Sequence, residues 1–165
     1  WAMGWLLFTY LRRYNGEPKG AGRDIWLSIL GEVYNVTKGP EYYEEGSGYH
    51  FFAGRDGSVP FITGNFTPYE GNKSTDVLGV PEVYALNQWR EFYEKEKRYP
   101  FLGLLQGRFY DEDGNPTEEL KRFRERLATY EHPVPRRRKA PKKNKAPKKK
   151  VPKENPLKYD AAKTK

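Results

Sequence analysis

Residues 25–36 read Ile-Trp-Leu-Ser-Ile-Leu-Gly-Glu-Val-Tyr-Asn-Val, with β-branched and aromatic residues crowded on both sides of one glycine. Such side chains suit a half-buried pleated surface, so the pattern predicts two short strands turned at Gly31-Glu32. Residues 37–48 show no period, hold Gly39, Pro40, Gly46 and Gly48, and carry the adjacent pair Tyr42-Tyr43, which predicts a loop. A dense aromatic run follows over residues 49–56. Val83, Leu86, Trp89 and Tyr93 then recur at helical spacing, after Pro81 and before Pro100, and predict a helix over 82–97. Residues 101–110 return to strand-like composition. Thr117 ahead of Glu118 and Glu119 reads as an N-cap with acids in the first turn, opening an amphipathic helix that runs to about Tyr130. Short strands alternating with helices and loops predict a small α+β domain.

The chain has 165 residues and a net charge of +8, which fits one domain with appendages and excludes a large multidomain enzyme. With 13 Tyr, 9 Phe and 4 Trp, the expected core is aromatic rather than aliphatic. The absence of cysteine excludes disulfides, thiolate zinc sites, iron–sulfur clusters and cysteine nucleophiles. His50 and His132, the two histidines, cannot form a multi-histidine metal site. The charge is segregated: residues 133–165 carry 14 Lys and Arg against Glu154 and Asp160, a net +12, whereas residues 1–132 sum to −4. An acidic globule therefore precedes a basic tail.

The tail repeats an Ala-Pro-Lys-Lys unit between prolines and has too little apolar surface to form a core, so extended or polyproline backbone is expected. It reads either as a solvated segment or as a docking element. In the second case Arg136, Arg137, Arg138, Lys142, Lys143, Lys148, Lys149 and Lys150 meet an anionic partner: an acidic protein complex, RNA or anionic lipid. The chain opens on Trp1 rather than methionine, which reads as a mature or partial product with a signal or anchor upstream. Its first eight residues are too few to span a bilayer alone, and either end a membrane anchor or cover the core. The expected division is an N-terminal lead-in over 1–21, the folded domain with its C-terminal helix over 22–132, and the tail over 133–165.

Most local motifs fail on chemistry. Asp111-Glu112-Asp113-Gly114-Asn115 starts like a calcium loop, but Pro116 and Arg122 occupy the places of its glycine and glutamate. Gly46-Ser47-Gly48 lacks the lysine of a phosphate loop and reads as a turn. Asn35, Asn65 and Asn72 head glycosylation acceptor triplets that matter only in a secretory lumen. No Ser/His/acid set or paired carboxylates can be picked out. What stands out is tyrosine: Tyr43 and Tyr49 in a glycine loop, and Arg98-Tyr99 far downstream.

The string from Leu27 to Gly39, the segment Tyr43-Glu44-Glu45-Gly46-Ser47-Gly48-Tyr49, and above all Phe52-Ala53-Gly54-Arg55-Asp56 resemble the cytochrome b5-like haem/steroid-binding family of membrane-associated progesterone receptor components. Phe61-Ile62-Thr63-Gly64-Asn65-Phe66, Asn87-Gln88-Trp89 and Gly107-Arg108-Phe109-Tyr110 look most like one branch of that family. The resemblance runs from about residue 7 to residue 130 and leaves the tail outside.

The resemblance implies a cytochrome b5-like fold, a small sheet flanked by helices, with haem b held non-covalently between helices. Ordinary cytochrome b5 grips iron with two histidines, one of them in a His-Pro-Gly-Gly loop that this chain lacks. The matching residue here is Tyr49, as axial tyrosinate. Tyr43 matches a second pocket tyrosine, and Arg98 and Tyr99 match a Lys-Tyr pair at the haem edge. A phenol with an ordinary pKa near 10 must lose its proton to bind ferric iron, and nearby positive charge favours that. A hard anionic oxygen stabilises ferric iron, which disfavours electron shuttling and suits haem carriage, sensing or a haem-dependent interaction. The reading is a non-enzymatic, membrane-associated module of an endomembrane, secretory or organellar compartment. Its alternative is a cofactor-free accessory subunit docked to a larger assembly through the tail.

Overall fold

A computed structural model describes residues 5–6, 8–17 and 23–130. The chain divides after Tyr130, and the basic tail with its expected partner contacts lies outside the described residues.

Strands β2 (Trp26–Ile29) and β3 (Glu32–Asn35) form the antiparallel hairpin expected from the first apolar run. β4 (Phe101–Leu105) pairs antiparallel with β3, and the short β1 (Trp5–Leu6) adds parallel to β4, giving the order β1-β4-β3-β2. Around this sheet lie α1 (Phe8–Leu11), α2 (Pro40–Tyr43), α3 (Pro60–Thr63), α4 (Pro68–Gly71), α5 (Val80–Lys95) and α6 (Glu118–Ala128). The architecture is α+β.

The hairpin turns at Leu30-Gly31, one residue before the predicted Gly31-Glu32. Both turn residues have positive φ, 50° and 77°, as a two-residue hairpin turn demands. Leucine adopts that conformation rarely. Here its N–H donates to the buried Ser58 hydroxyl at 2.8 Å, which fixes the register from 28 residues away. The Gly54-Arg55-Asp56 end of the Phe-Ala-Gly-Arg-Asp block, with Gly57 after it, is also bound to β2. Gly54 N–H donates to the Trp26 carbonyl at 2.7 Å, Ser28 N–H to the Arg55 carbonyl at 2.9 Å, and Gly57 N–H to the Ser28 carbonyl at 2.9 Å. The Ser28 hydroxyl donates to Asp56 Oδ2 at 2.7 Å. The specific sequence block is thus an added edge of the sheet, and it anchors the aromatic run that precedes it.

Other boundaries also moved. α5 starts and ends two residues before the predicted 82–97, because the Glu82 carboxylate accepts the Gly79 N–H at 2.6 Å and draws Val80 and Pro81 into the first turn. The predicted loop over 37–48 contains α2, a single turn opened by Pro40. The strand-like run stops at Leu105, since Gly107 N–H donates to the Tyr110 carbonyl at 2.8 Å and folds the rest into a turn. Thr117 is the N-cap of α6, as predicted, but its hydroxyl makes no cap bond and donates to the Arg108 carbonyl instead. α6 docks through Glu119, which accepts the Thr75 N–H at 2.7 Å, and through Arg126, which donates to the Thr75 and Leu78 carbonyls.

The core is aromatic, as the composition predicted: Tyr34, Tyr43, Tyr93, Tyr99, Phe52, Phe109 and Phe123 are among its largest fully buried side chains. Burial pushes the phenols of Tyr34, Tyr43, Tyr93, Tyr99 and Tyr110 above their ordinary value of 10.0. The unfolded chain therefore releases its phenolic protons first as pH rises. Stability is complete below pH 10 and falls above it, by up to about 1.4 kcal/mol per pH unit for each such tyrosine.

Alkaline titration monitored by phenolate absorbance and far-ultraviolet circular dichroism is expected to show the buried tyrosines ionising together with loss of structure. Ionisation of every tyrosine at its ordinary value with the fold intact would contradict this burial. Ser58→Ala removes the acceptor of the Leu30 N–H and is expected to destabilise by about 1–3 kcal/mol, read as a lower urea midpoint at unchanged slope.

Candidate functional site

α2 starts at Pro40 and turns Tyr43 inward, and the loop after it closes on itself. Tyr49 N–H donates to the Tyr42 carbonyl at 3.0 Å, His50 Nδ1 lies 3.0 Å from the Tyr43 carbonyl, and a 3-10 turn over His50–Phe52 follows. Tyr43 and Tyr49 are thereby held on one short loop. The next segment, fastened to β2, fixes where that loop ends.

Tyr49 is half-buried. Its ring lies 5.8 Å from that of Phe52 at an interplanar angle of 23°, and 6.3 Å from that of Phe66. Phe52 stacks on Phe61 at 4.0 Å, and Phe61 reaches Trp89 at 5.2 Å and Tyr93 at 5.9 Å. A continuous aromatic wall thus runs from Tyr49 to α5. Tyr43 is 0% exposed, and its hydroxyl lies 2.7 Å from that of Tyr93, so the two phenols satisfy each other. Its ring meets Tyr99 edge-on at 6.0 Å.

Tyr99 is 1% exposed, and its hydroxyl is the one buried side-chain polar atom without a hydrogen-bond partner among the described residues. A Cβ at Gly39 would overlap that hydroxyl and stand 3.3 Å from Cε2 of Tyr43, so only glycine leaves room for the two rings there. Arg98 is exposed beside it. Its guanidinium lies 3.4 Å from Glu96, 3.9 Å from Glu41 and 5.3 Å from the centre of the Tyr99 ring. Burial raises the Tyr99 phenol and the Arg98 charge partly offsets it. Burial likewise raises Tyr43 and Tyr93, with further repulsion from neighbouring tyrosines including Tyr49.

The structure therefore gathers Tyr43, Tyr99 and Arg98, joins Tyr49 to them through the loop, and adds Tyr93. Sequence spacing assigned Tyr93 to the core, where it does lie. The usable signal was its hydroxyl, since a buried tyrosine needs a hydrogen-bond partner. The donor set fits a haem: a half-buried phenol on an apolar aromatic wall, an unsatisfied buried hydroxyl, and an arginine at the rim suited to a carboxylate.

Other sequence motifs serve the fold. The Asp111 carboxylate accepts the N–H groups of Asn115 and Asp113 at 2.8 and 2.9 Å, which hold it below the usual carboxylate range. Among the described residues no His/Cys/Asp/Glu group is arranged to hold a metal ion. The Asn35 amide donates to Asp24 at 2.9 Å and its oxygen accepts the Thr37 N–H at 3.0 Å. No helix of the described residues is long and apolar enough to cross a membrane.

Comparison with known proteins agrees with this fold. Residues 10–95 match the family model of the cytochrome b5-like haem/steroid-binding domain. A neuferricin homologue of Drosophila pseudoobscura pseudoobscura is 48% identical over 115 residues, covering 68% of this chain and 38% of that protein. Mus musculus neuferricin is 41% identical over 131 residues, covering 73% and 48%. Membrane-associated progesterone-binding protein 4 of Arabidopsis thaliana is 45% identical over 111 residues, covering 67% and 44%. The chain thus spans less than half the length of these relatives. A solved Arabidopsis thaliana structure with a cytochrome b5 like fold superposes at a TM-score of 0.52 with 28% identity, over 64% of this chain and 93% of that one. The family-model match, the overall identity to these relatives and the common fold together place the chain in the cytochrome b5-like haem/steroid-binding domain family, alongside neuferricin and membrane-associated progesterone-binding protein.

Proposed function

We propose that the domain is a non-enzymatic haem-binding module in which the Tyr49 phenolate is the axial ligand of ferric haem, supported by Tyr43, Tyr99 and Arg98. The observation that carries this reading is the graded burial of the phenols. Burial opposes a charged phenolate. It is complete at Tyr43, Tyr93 and Tyr99 and partial at Tyr49, so an anionic oxygen is least opposed at Tyr49. The exposed Phe66 ring beside it, backed by the buried Phe52, offers an apolar face to a flat macrocycle. Tyr43 and Tyr93 hold the loop in place as neutral hydrogen-bonded phenols. The Tyr99 hydroxyl supplies an unused donor, and the exposed Arg98, which holds Glu96 and Glu41 at the rim, a cation that can exchange one of them for a propionate. When bound, haem would supply a ferric centre of low potential, suited to carriage, sensing or a haem-dependent interaction.

One observation favours a second reading, a cofactor-free accessory subunit docked by its basic tail to an anionic partner. Tyr43 and Tyr99 are closed from solvent by their own neighbours, as in a core that serves packing alone. The family description and the half-buried Tyr49 favour the haem reading over it.

Haem titration of the purified chain separates the two. The parent protein is expected to develop a Soret band, and Tyr49→Phe, with its fold checked by circular dichroism, to lose about tenfold or more in haem affinity, ~1.4 kcal/mol. An identical band and affinity in the variant would overturn the ligand assignment. No band in the parent would leave the accessory subunit.

A further inference from the structure

A cleft of about 230 Å³ is lined by Arg12, Arg55, Arg108, Asp56, Phe51 and Phe109, and by none of Tyr43, Tyr49, Arg98 or Tyr99. It is too small for a porphyrin. Its charge runs against the domain around it, for three guanidinium groups meet one carboxylate where residues 1–132 sum to −4.

The charges of Arg55 and Arg108 are not spent on ion pairs among the described residues. Elsewhere arginines are matched to carboxylates: Arg90 with Glu32 at 3.3 Å, Arg98 with Glu96 at 3.4 Å, and Arg122 with Asp76 at 2.6 Å. Neither Arg55 nor Arg108 has an ion pair among the described residues. Arg108 donates to the carbonyls of Gly71 and Lys73 at 3.1 and 3.0 Å, contacts that orient its guanidinium without neutralising it. Arg55 is pinned through its backbone, with N–H to the Phe52 carbonyl at 3.1 Å and carbonyl to the Ser28 N–H at 2.9 Å. Its guanidinium lies 5.2 Å from the centre of the Phe51 ring. Both oxygens of the lone carboxylate are engaged within the fold: Asp56 Oδ2 accepts from the Ser28 hydroxyl at 2.7 Å and Oδ1 from the Ser58 N–H at 3.1 Å. Two oriented, half-buried guanidinium groups therefore flank a small space with aromatic walls.

We infer that this cleft binds a small phosphate monoester, with Arg55 and Arg108 as its charged donors and Phe51 against the apolar part of the ligand. Guanidinium forks match phosphate oxygens in geometry. Arg55 and Arg108 bring two positive charges to the cleft, close in size to the roughly −1.5 to −2 of a monoester at neutral pH. A soluble metabolite and a lipid headgroup share that chemistry. The inference is independent of the haem reading.

The test is residue-resolved NMR of the full isotope-labelled chain, titrated separately with phenyl phosphate, a water-soluble short-chain phosphatidate, and benzoate as the matched carboxylate. Saturable shifts are expected at the Phe51, Arg55 and Gly107 amides with phosphate compounds, weakened about tenfold or more in Arg55→Gln and partly restored in Arg55→Lys. Arg108→Gln also strips two backbone carbonyls of their donor, so Arg55→Gln carries the test. Tighter binding of phenyl phosphate points to a soluble monoester, and tighter binding of the phosphatidate to a lipid headgroup. Phosphate held by the basic tail leaves the cleft amides unmoved. The inference is overturned by unmoved cleft amides, by equal affinity in Arg55→Gln, or by benzoate matching phenyl phosphate.

Discussion

The hydrogen bond between the hydroxyls of Tyr43 and Tyr93 is the contact on which the rest of this domain depends. It joins residues 50 apart in sequence, one from a single-turn helix and one from the longest helix, both closed from solvent. Removing either partner would strand a buried hydroxyl, a loss of about 1–3 kcal/mol. Around that bond the Tyr93 ring touches Tyr34 of the sheet, Phe61 of α3, Phe92 of its own helix and Tyr99 beyond it. Four segments thus converge on one side chain. The loop that carries Tyr49 inherits its position from the same anchor.

This arrangement divides the phenols by task. Fully buried tyrosines stay neutral, with Tyr43 and Tyr93 pairing their hydroxyls, so the fold can carry many of them without burying charge. Tyr49, with the same chemistry at the mouth of the loop, is only half-buried. The arginines are divided in the same manner. Arg90 and Arg122 clasp carboxylates across element boundaries, whereas Arg55 and Arg108 turn their charge into a cleft.

What was legible in the sequence was what local period and composition determine. Val83, Leu86 and Tyr93 repeat on one helical face, and Trp26 to Asn35 cluster around a glycine, so α5 and the hairpin could be read directly. The hairpin's register could not, because it depends on Ser58 at a distance along the chain. A single turn such as α2 has no period to detect, and the Thr117 hydroxyl followed Arg108 rather than the helix it precedes. Of the site, Tyr43, Tyr49, Arg98 and Tyr99 were named through the family resemblance, and their glycine-loop setting only agreed with it. Tyr93 went unnamed because helical spacing accounts for a core position without reference to its hydroxyl. The arginine cleft was invisible, since Arg12, Arg55 and Arg108 are brought together only by the folded chain.

The most direct test of the central claim is resonance Raman spectroscopy of the haem-reconstituted chain, excited in the phenolate-to-iron charge-transfer band, with and without ring-deuterated tyrosine. The account requires phenolate modes that shift on deuteration and vanish in Tyr49→Phe. Ferric haem bound with no phenolate modes, or with modes that persist in the variant, would contradict it.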